Sequence, residues 1–194
     1  MDVLNFLSAQ DFLSDFRLVG GTALALYWGH RLSVDIDLFT DKKISLIEIE
    51  QKLSDLKDAV QLSKNPIGLT YKIKEVKCDF LTYPYTFAFD AINDKGIRIA
   101  NIEDIIALKL GAIANRGARK DFVDLYYILE KYSVHDLFFF YTRMYHVTEY
   151  FSLLKSMTYF EDAENELLPK LLLDESLTWE KIKKTITKKV SAAI

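Results

Sequence analysis

Cysteine is almost missing from this chain. Cys78 stands alone among 194 residues, so no intrachain disulfide and no Cys-rich zinc site can form. Histidine is scarce as well: His30, His135 and His146 are widely spaced and show no metal-ligand pattern. No Ser/His/Asp or Cys/His nucleophile arrangement stands out. With 3 prolines and 7 glycines there is no Pro/Gly-rich linker, and neither an internal repeat nor a low-complexity segment occurs. Charge of one sign is not in excess. The net charge of −3 gives no electrostatic reason for tight, non-specific nucleic-acid binding, although it leaves room for a local basic groove. No apolar run approaches the length of a membrane helix. The start, MDVLNFLSAQDFLSDF, carries acids where a signal peptide needs cations, so a cytoplasmic protein is expected.

Apolar residues are plentiful instead. They make up 50% of the chain, enough for a sizeable core and too many for disorder. The length suits one domain, or one domain with a helical appendage. The pattern changes character near residue 100, which sets the expected division: an α+β region over residues 1–100, then a helical region over 101–194 packed on it.

In the first region, Leu4 to Phe16 reads as an amphipathic helix, with Leu4, Leu7, Phe12 and Phe16 on its buried face. Leu18-Val19 is a short strand stopped by Gly20-Gly21, and Thr22 to Trp28 a short helix. Val34 to Phe39 is the next strand; its alternation sets Val34, Ile36 and Leu38 on one face and Asp35, Asp37 and Phe39 on the other. Ile44 to Leu56 has helical spacing. Leu69, Tyr71 and Ile73 alternate with polar residues, as do Val76, Cys78 and Phe80, and the phase slip at Lys74-Glu75 marks a tight turn between antiparallel strands. A last short strand falls at Ile97 to Ile99. Beyond it, helices are expected from an Asn101 N-cap to about Ile113, through the Phe122, Leu125, Tyr126, Leu129 stripe, over His135–Met144 and Glu149–Met157, and along Trp179, Ile182, Ile186 and Val190. Phe138 to Tyr141 reads as core or interface, core being the commoner outcome.

The chemistry-bearing residues cluster. Asp35 and Asp37, at i and i+2 of a strand, point to one place, and two carboxylates so close call for a cation. Magnesium suits them, because it takes hard oxygen ligands and keeps waters or substrate phosphates; a chance pair is the plain alternative. Gly20-Gly21-Thr22 sits at a strand-to-helix junction, where unpaired N–H groups favour an anion. The plain alternative there is a tight turn with Thr22 as N-cap. Asp79 is a third carboxylate on a separate strand, able to join a metal site if that strand neighbours the first, or else simply an exposed acid. Lys109 lies in an apolar run, IIALKL, and either snorkels to solvent or reaches a triphosphate. Arg116, Arg119 and Lys120 gather beside Asp121, ahead of Asp124; they are either solvated charges, with Lys120 and Asp124 an i, i+4 pair, or part of a site.

Taken together, the stretches Leu18-Val-Gly-Gly-Thr-Ala-Leu-Ala-Leu26, His30-Arg31-Leu-Ser33-Val-Asp35-Ile-Asp37-Leu-Phe39 and Val76-Lys-Cys-Asp79-Phe-Leu, followed by Tyr83-Pro84-Tyr85, resemble the AbiEii family of nucleotidyltransferase-like toxins from type IV toxin–antitoxin systems. Lys109, Ala112, Arg116 and Lys120-Asp121-Phe-Val-Asp124-Leu125 are similar to its helical signature, with lysine at position 120 where arginine often stands. The resemblance runs from Leu18 to Leu129. It implies a minimal nucleotidyltransferase-fold mixed sheet flanked by helices, followed by a helical C-terminal part. It implies transfer of an NMP from an NTP to an acceptor, an RNA and in some members the 3′ end of a tRNA, with Mg2+ as cofactor and a separately encoded antitoxin as partner. By the same resemblance, Gly20, Gly21 and Thr22 hold the β/γ-phosphates, and Asp35 and Asp37 bind the metal. Asp79 completes the metal site or helps activate the acceptor hydroxyl. Lys109 contacts the triphosphate and Asp121 takes a supporting or catalytic position. Arg31 and Ser33 steady the acidic strand and turn, and Asp124 orients Lys120 or Arg116.

Two other readings remain open on the residues alone. One keeps the chemistry and moves it to a small-molecule hydroxyl, which the modest charge favours, whereas Lys181, Lys184 and Lys188 on one face of the final helix point toward RNA. The other is a non-catalytic domain that binds a nucleotide or a protein partner.

Overall fold

The computed structural model describes residues 2–193. They form two units, residues 2–23 with 33–101 and residues 24–32 with 102–193. The second segment boundary falls where the pattern changes character; the end of the Thr22 helix and the residues to Leu32 group with the helical unit.

The first unit is built on a seven-stranded mixed sheet of β1 (Arg17–Val19), β2 (Ile36–Thr40), β3 (Ala59–Asn65), β4 (Gly68–Ile73), β5 (Val76–Thr82), β6 (Ile92–Asp94) and β7 (Ile97–Ile99), in the order β3-β4-β5-β2-β1-β7-β6. β3, β4 and β5 are an antiparallel meander. The slip at Lys74-Glu75 is indeed a turn, and both residues adopt left-handed backbone (φ 47° and 68°), the twist that a two-residue hairpin requires. β2 pairs parallel with β5 and antiparallel with β1. Helices α1 (Asp2–Ser8), α2 (Gly20–Trp28) and α3 (Leu46–Ser54) alternate with the early strands, Ser45 capping α3 through the Glu48 N–H.

The alternation of β2, β4 and β5 sends Ile36, Leu38, Leu69, Tyr71, Ile73, Cys78 and Phe80 to one buried face, joined by Leu7, Phe16 and Leu53. Phe80 is the hub. It meets Phe16 and Tyr71 edge-on, with centroids 6.2 and 6.3 Å away.

Four expectations are corrected. The helix expected over Leu4–Phe16 breaks into α1 and a single 3-10 turn at Asp11–Leu13, and the buried residue of that turn is Leu13 rather than Phe12. β2 starts at Ile36, so Val34 is 65% exposed and off the core face, and Asp35 stands just ahead of the strand. Strands β3 and β6 were not anticipated, because neither carries a buried alternation.

The second unit holds α4 (Ile102–Asn115), α5 (Arg119–Lys131), α6 (Val134–Tyr145), α7 (Phe151–Met157) and α8 (Trp179–Ser191). Their faces follow the sequence stripes: Phe122, Leu125, Tyr126 and Leu129 on α5, and Ile182, Ile186 and Val190 on α8, are buried. Ser133 and Asp136 form a capping box on α6. Within that helix Phe140 turns inward while Phe139 is 56% exposed. Lys181, Lys184 and Lys188 are all exposed. Among the described residues no helix is long and apolar enough to cross a membrane.

Removal of the Phe80 ring leaves a void beside two aromatic neighbours, Phe16 and Tyr71. Phe80→Ala is expected to lower the unfolding free energy by about 3–5 kcal/mol in urea titrations, whereas Val60→Ala on the exposed β3 changes it by less than about 0.5 kcal/mol.

Candidate active site

Two groups of charged residues emerge, one in each unit. In the first unit, antiparallel pairing sets Val19 opposite Asp37, and parallel pairing sets Asp37 opposite Asp79. The condition that the sequence left open, that the Asp79 strand must neighbour that of Asp37, is therefore met, with adjacent strands about 4.8 Å apart. Both carboxylates project from the face opposite the core. Asp35 lies two residues before Asp37, just ahead of the strand, and its charge reaches Lys77 together with those of Asp37 and Asp79.

The chain leaving Val19 enters α2 at once. Gly20 has φ 69°, and a Cβ there would lie 2.0 Å from Asp37 Oδ2. Glycine is thus needed twice over, for its left-handed backbone and for the room the carboxylate occupies. Thr22 lies inside α2 rather than capping it. Its hydroxyl donates to the Asp35 carbonyl and stands 3.1 Å from the Ser33 hydroxyl, so it ties the segment carrying Asp35 to the start of the helix.

Asp79 is engaged on both oxygens. Thr70, its cross-strand neighbour on β4, donates to Oδ1 at 2.6 Å, and the Lys77 ammonium lies 2.5 Å from Oδ2. Burial acts to lower the Lys77 pKa, but the bond to Asp79 and the charges of Asp79, Asp35 and Asp37 prevail and raise it. Lys77 therefore registers all three acids, as an internal counter-cation. Cys78 points the other way: burial, reinforced by the same three acids, pushes its thiol up to about 12, which leaves it inert. Neither Thr70 nor Lys77 was anticipated; an alternation extended to the polar face of the β4–β5 hairpin could have found both.

In kind, the donor set suits magnesium: oxygen ligands only, on a rigid strand pair. Among the described residues no three of His, Cys, Asp and Glu gather closely enough to hold a metal ion unaided. Such an ion would take the two or so carboxylates that magnesium commonly uses and draw its other ligands from water and phosphate.

The second group lies within the helical unit and is buried. Asp124, on α5, accepts a two-pronged bond from Arg31 (Nε 2.6 Å, Nη2 2.9 Å), a bond from His30 Nε2 at 2.7 Å, and the Lys109 ammonium at 2.7 Å. Lys109, from α4, also donates to Asp121 at 3.0 Å, and Asp121 is bridged by Arg116 at 3.1 Å. His30, Asp121 and Asp124 are fully buried and Lys109 is 5% exposed, so Lys109 does not snorkel. Two expected partnerships change accordingly. Asp124 orients Arg31, His30 and Lys109 rather than Lys120 or Arg116, and Arg31 serves this buried carboxylate rather than the acidic strand. Lys120 is exposed, and Arg119 turns away to the carbonyls of Ala163 and Glu164. The backbone supports the arrangement: Leu172 N–H donates to the His30 carbonyl and Leu32 N–H to that of Lys170. The sequence offered no role for His30.

Burial alone would raise the Asp124 and Asp121 pKa values. Lys109 outweighs it at both, with Arg31 and His30 at Asp124 and Arg116 at Asp121, and both carboxyls fall below their ordinary 3.8. Burial would lower Lys109, but Asp124 and Asp121 raise it above 10.5 against the opposition of Arg31. The signs set a window. The aspartates contribute in full above 3.8 and lose that contribution as pH falls through their lowered values; the lysine contributes below 10.5 and loses it as pH climbs past. Urea midpoints measured against pH should therefore hold near neutrality and drop below about pH 4. Asp124→Ala, which strands Arg31 and Lys109, should cost about 3–5 kcal/mol at pH 7.

Comparison with known proteins gives a consistent result. The chain matches the model of the family described as "Nucleotidyl transferase AbiEii toxin, Type IV TA system" over residues 2–94 and 74–192. An uncharacterised protein of Aquifex aeolicus is 33% identical over 183 residues, 91% of this chain and 87% of that one. Among solved structures, JHP933 of Helicobacter pylori superimposes with a TM-score of 0.58 at 22% identity, over 98% of this chain and 86% of that one. MenT4, a nucleotidyltransferase toxin of Mycobacterium tuberculosis, gives 0.60 at 14% identity, over 97% and 78%. At such identities these two structures speak to the fold, and it is the fold expected from the sequence.

Proposed function

Since the chain belongs to the AbiEii family of nucleotidyltransferase toxins, we propose that it moves an NMP from an NTP to the terminal hydroxyl of an RNA, the 3′ end of a tRNA, in a magnesium-dependent reaction. The observation that carries this reading is the cross-strand pair Asp37 and Asp79 set against the Gly20 turn. Nucleotidyl transfer demands positioning and charge neutralisation more than covalent catalysis. That site offers both.

The N–H groups at the start of α2 donate to the β- and γ-phosphates, where the helix dipole favours negative charge. Asp35 and Asp37 hold the metal, with Thr22 and Ser33 fixing the segment from which Asp35 projects. Magnesium, when bound, supplies the positive charge that activates the attacking oxygen and stabilises the departing pyrophosphate. Asp79 is the third acid, and Lys77 neutralises it in the meantime. Within the helical unit, Asp121 and Asp124 favour the charged form of the Lys109 amine. Asp121 thereby has the supporting role. Membership of a type IV toxin–antitoxin family implies a cognate antitoxin as partner.

Purified protein is incubated with each α-labelled NTP, magnesium and total bacterial RNA, beside Asp37→Ala. Label is expected on a tRNA-sized band with the unmutated protein, and the variant should reduce it by about 100-fold or more. Equal labelling by both would remove Asp37 from the reaction. Transfer confined to small alcohols would replace RNA with a small-molecule acceptor.

A further inference from the structure

Downstream of the acids, on the same face of the sheet, stands a group of rings that the reading above does not use. Phe39 lies two residues beyond Asp37 on β2, about 7 Å along the strand. Tyr83 prolongs β5 in the phase of Asp79, and its N–H donates to the Thr40 carbonyl at 2.7 Å. The Phe39 and Tyr83 rings stack, 5.5 Å apart and 25° from parallel, and Tyr85 leans on Tyr83 at 5.7 Å. This is a fixed assembly. Phe87, 6% exposed, lies against Tyr83 from within, with the Arg17 guanidinium 4.4 Å over its ring. Arg17 also donates to the Phe89 carbonyl at 2.7 Å, and the Phe87 N–H donates to Asp41 at 3.1 Å. The loop after β5 is therefore tied to β1, β2 and the residue following β2. Tyr85 nevertheless remains 40% exposed, with Phe39 and Tyr83 half-buried.

Register puts these rings in line with the rest of the site. Val19 faces Asp37 and Arg17 faces Phe39, so the Gly20 turn continues from one end of β1 and the rings lie beside the other. Phosphate turn, carboxylates and aromatic rings succeed one another along one face. A nucleotide whose phosphates engage the turn and the acids has its π-face next in that order.

We infer that Phe39, Tyr83 and Tyr85 form a stacking platform for a nucleobase, belonging either to the incoming NTP or to the terminal residue of the acceptor RNA. The inference rests on the proposed function for the placement of the phosphates. Stacking on an aromatic ring tolerates any base, since every base has a π-face. Arg17, fixed beneath Phe87, gives the platform a rigid footing.

Tyr85→Leu and Phe39→Leu remove a π-face while keeping apolar bulk, and Tyr85→Phe keeps the ring. Equilibrium binding is measured without turnover for ATP, CTP, GTP and UTP against a ribose triphosphate lacking a base, and for a short single-stranded RNA with an intact or an abasic 3′ residue. Each leucine variant is expected to weaken binding of one intact ligand about tenfold and leave its base-less counterpart unaffected, while Tyr85→Phe binds like the unmutated protein; in the transfer assay the loss falls on KM more than on kcat. The ligand that responds identifies the source of the base. Base-independent binding, or leucine and phenylalanine variants that behave alike, overturns the platform even if transfer proceeds. Base-dependent binding with no transfer to any acceptor retains the platform and removes the proposed reaction.

Discussion

The acidic site depends on one contact, that of the Asp37 carboxylate with the bare Cα of Gly20. It is possible only because β1 runs antiparallel to β2 with Val19 opposite Asp37, and because the residue after Val19 has no side chain. From it follows the meeting of a helix start, where the dipole favours negative charge, with a pair of carboxylates, which favour positive charge; the proposed site therefore calls for an occupant that carries both signs. A metal-bound phosphate does. The parallel pairing of β2 with β5 then adds Asp79 with no further demand on the chain, since a single register fixes every residue of the pair.

The two charged groups are built on different principles. Around Asp37 the carboxylates are partly exposed, and Lys77, which pairs with Asp79, is itself about half in solvent. Around Asp124 the charges are withdrawn from water, and the Arg31 and Lys109 cations and the His30 imidazole converge on one carboxylate. A network of the second kind adds little net stability over an apolar core, but it resists any change of partner, because each member lost leaves another charge stranded. The first arrangement is suited to receiving a ligand, and the second to holding an amine and two carboxylates in fixed states of charge.

Much of this was legible in the sequence. Strand alternation placed Asp37 and Asp79 on the polar face, the phase slip at Lys74-Glu75 located a turn, and helical stripes located α5 and α8. The failures share a cause. β3 is exposed along almost its whole length and β6 is three residues long, so neither shows an inside and an outside to read. The break between α1 and its following turn moves the buried position from Phe12 to Leu13, and because both are apolar, periodicity does not register it. The partners of Asp124 were misjudged because sequence reasoning reaches for neighbours, Lys120 and Arg116, whereas His30 and Arg31 stand more than ninety positions away. Only the fold brings such residues together. Lys77 was overlooked for the opposite reason: a lysine on a strand surface is ordinary until the acid beside it proves to have companions.

The central claim, that the Gly20 turn and the acids form one site for a metal-bound phosphate, is tested most directly by a crystal structure with magnesium and a non-hydrolysable NTP. The account predicts a metal about 2.0–2.1 Å from oxygens of Asp35 and Asp37, with phosphate oxygens accepting from the N–H groups of Gly21 and Thr22 and Lys77 withdrawn from Asp79. A nucleotide bound elsewhere, with Asp37 still lying against Gly20 and Lys77 still on Asp79, would contradict it.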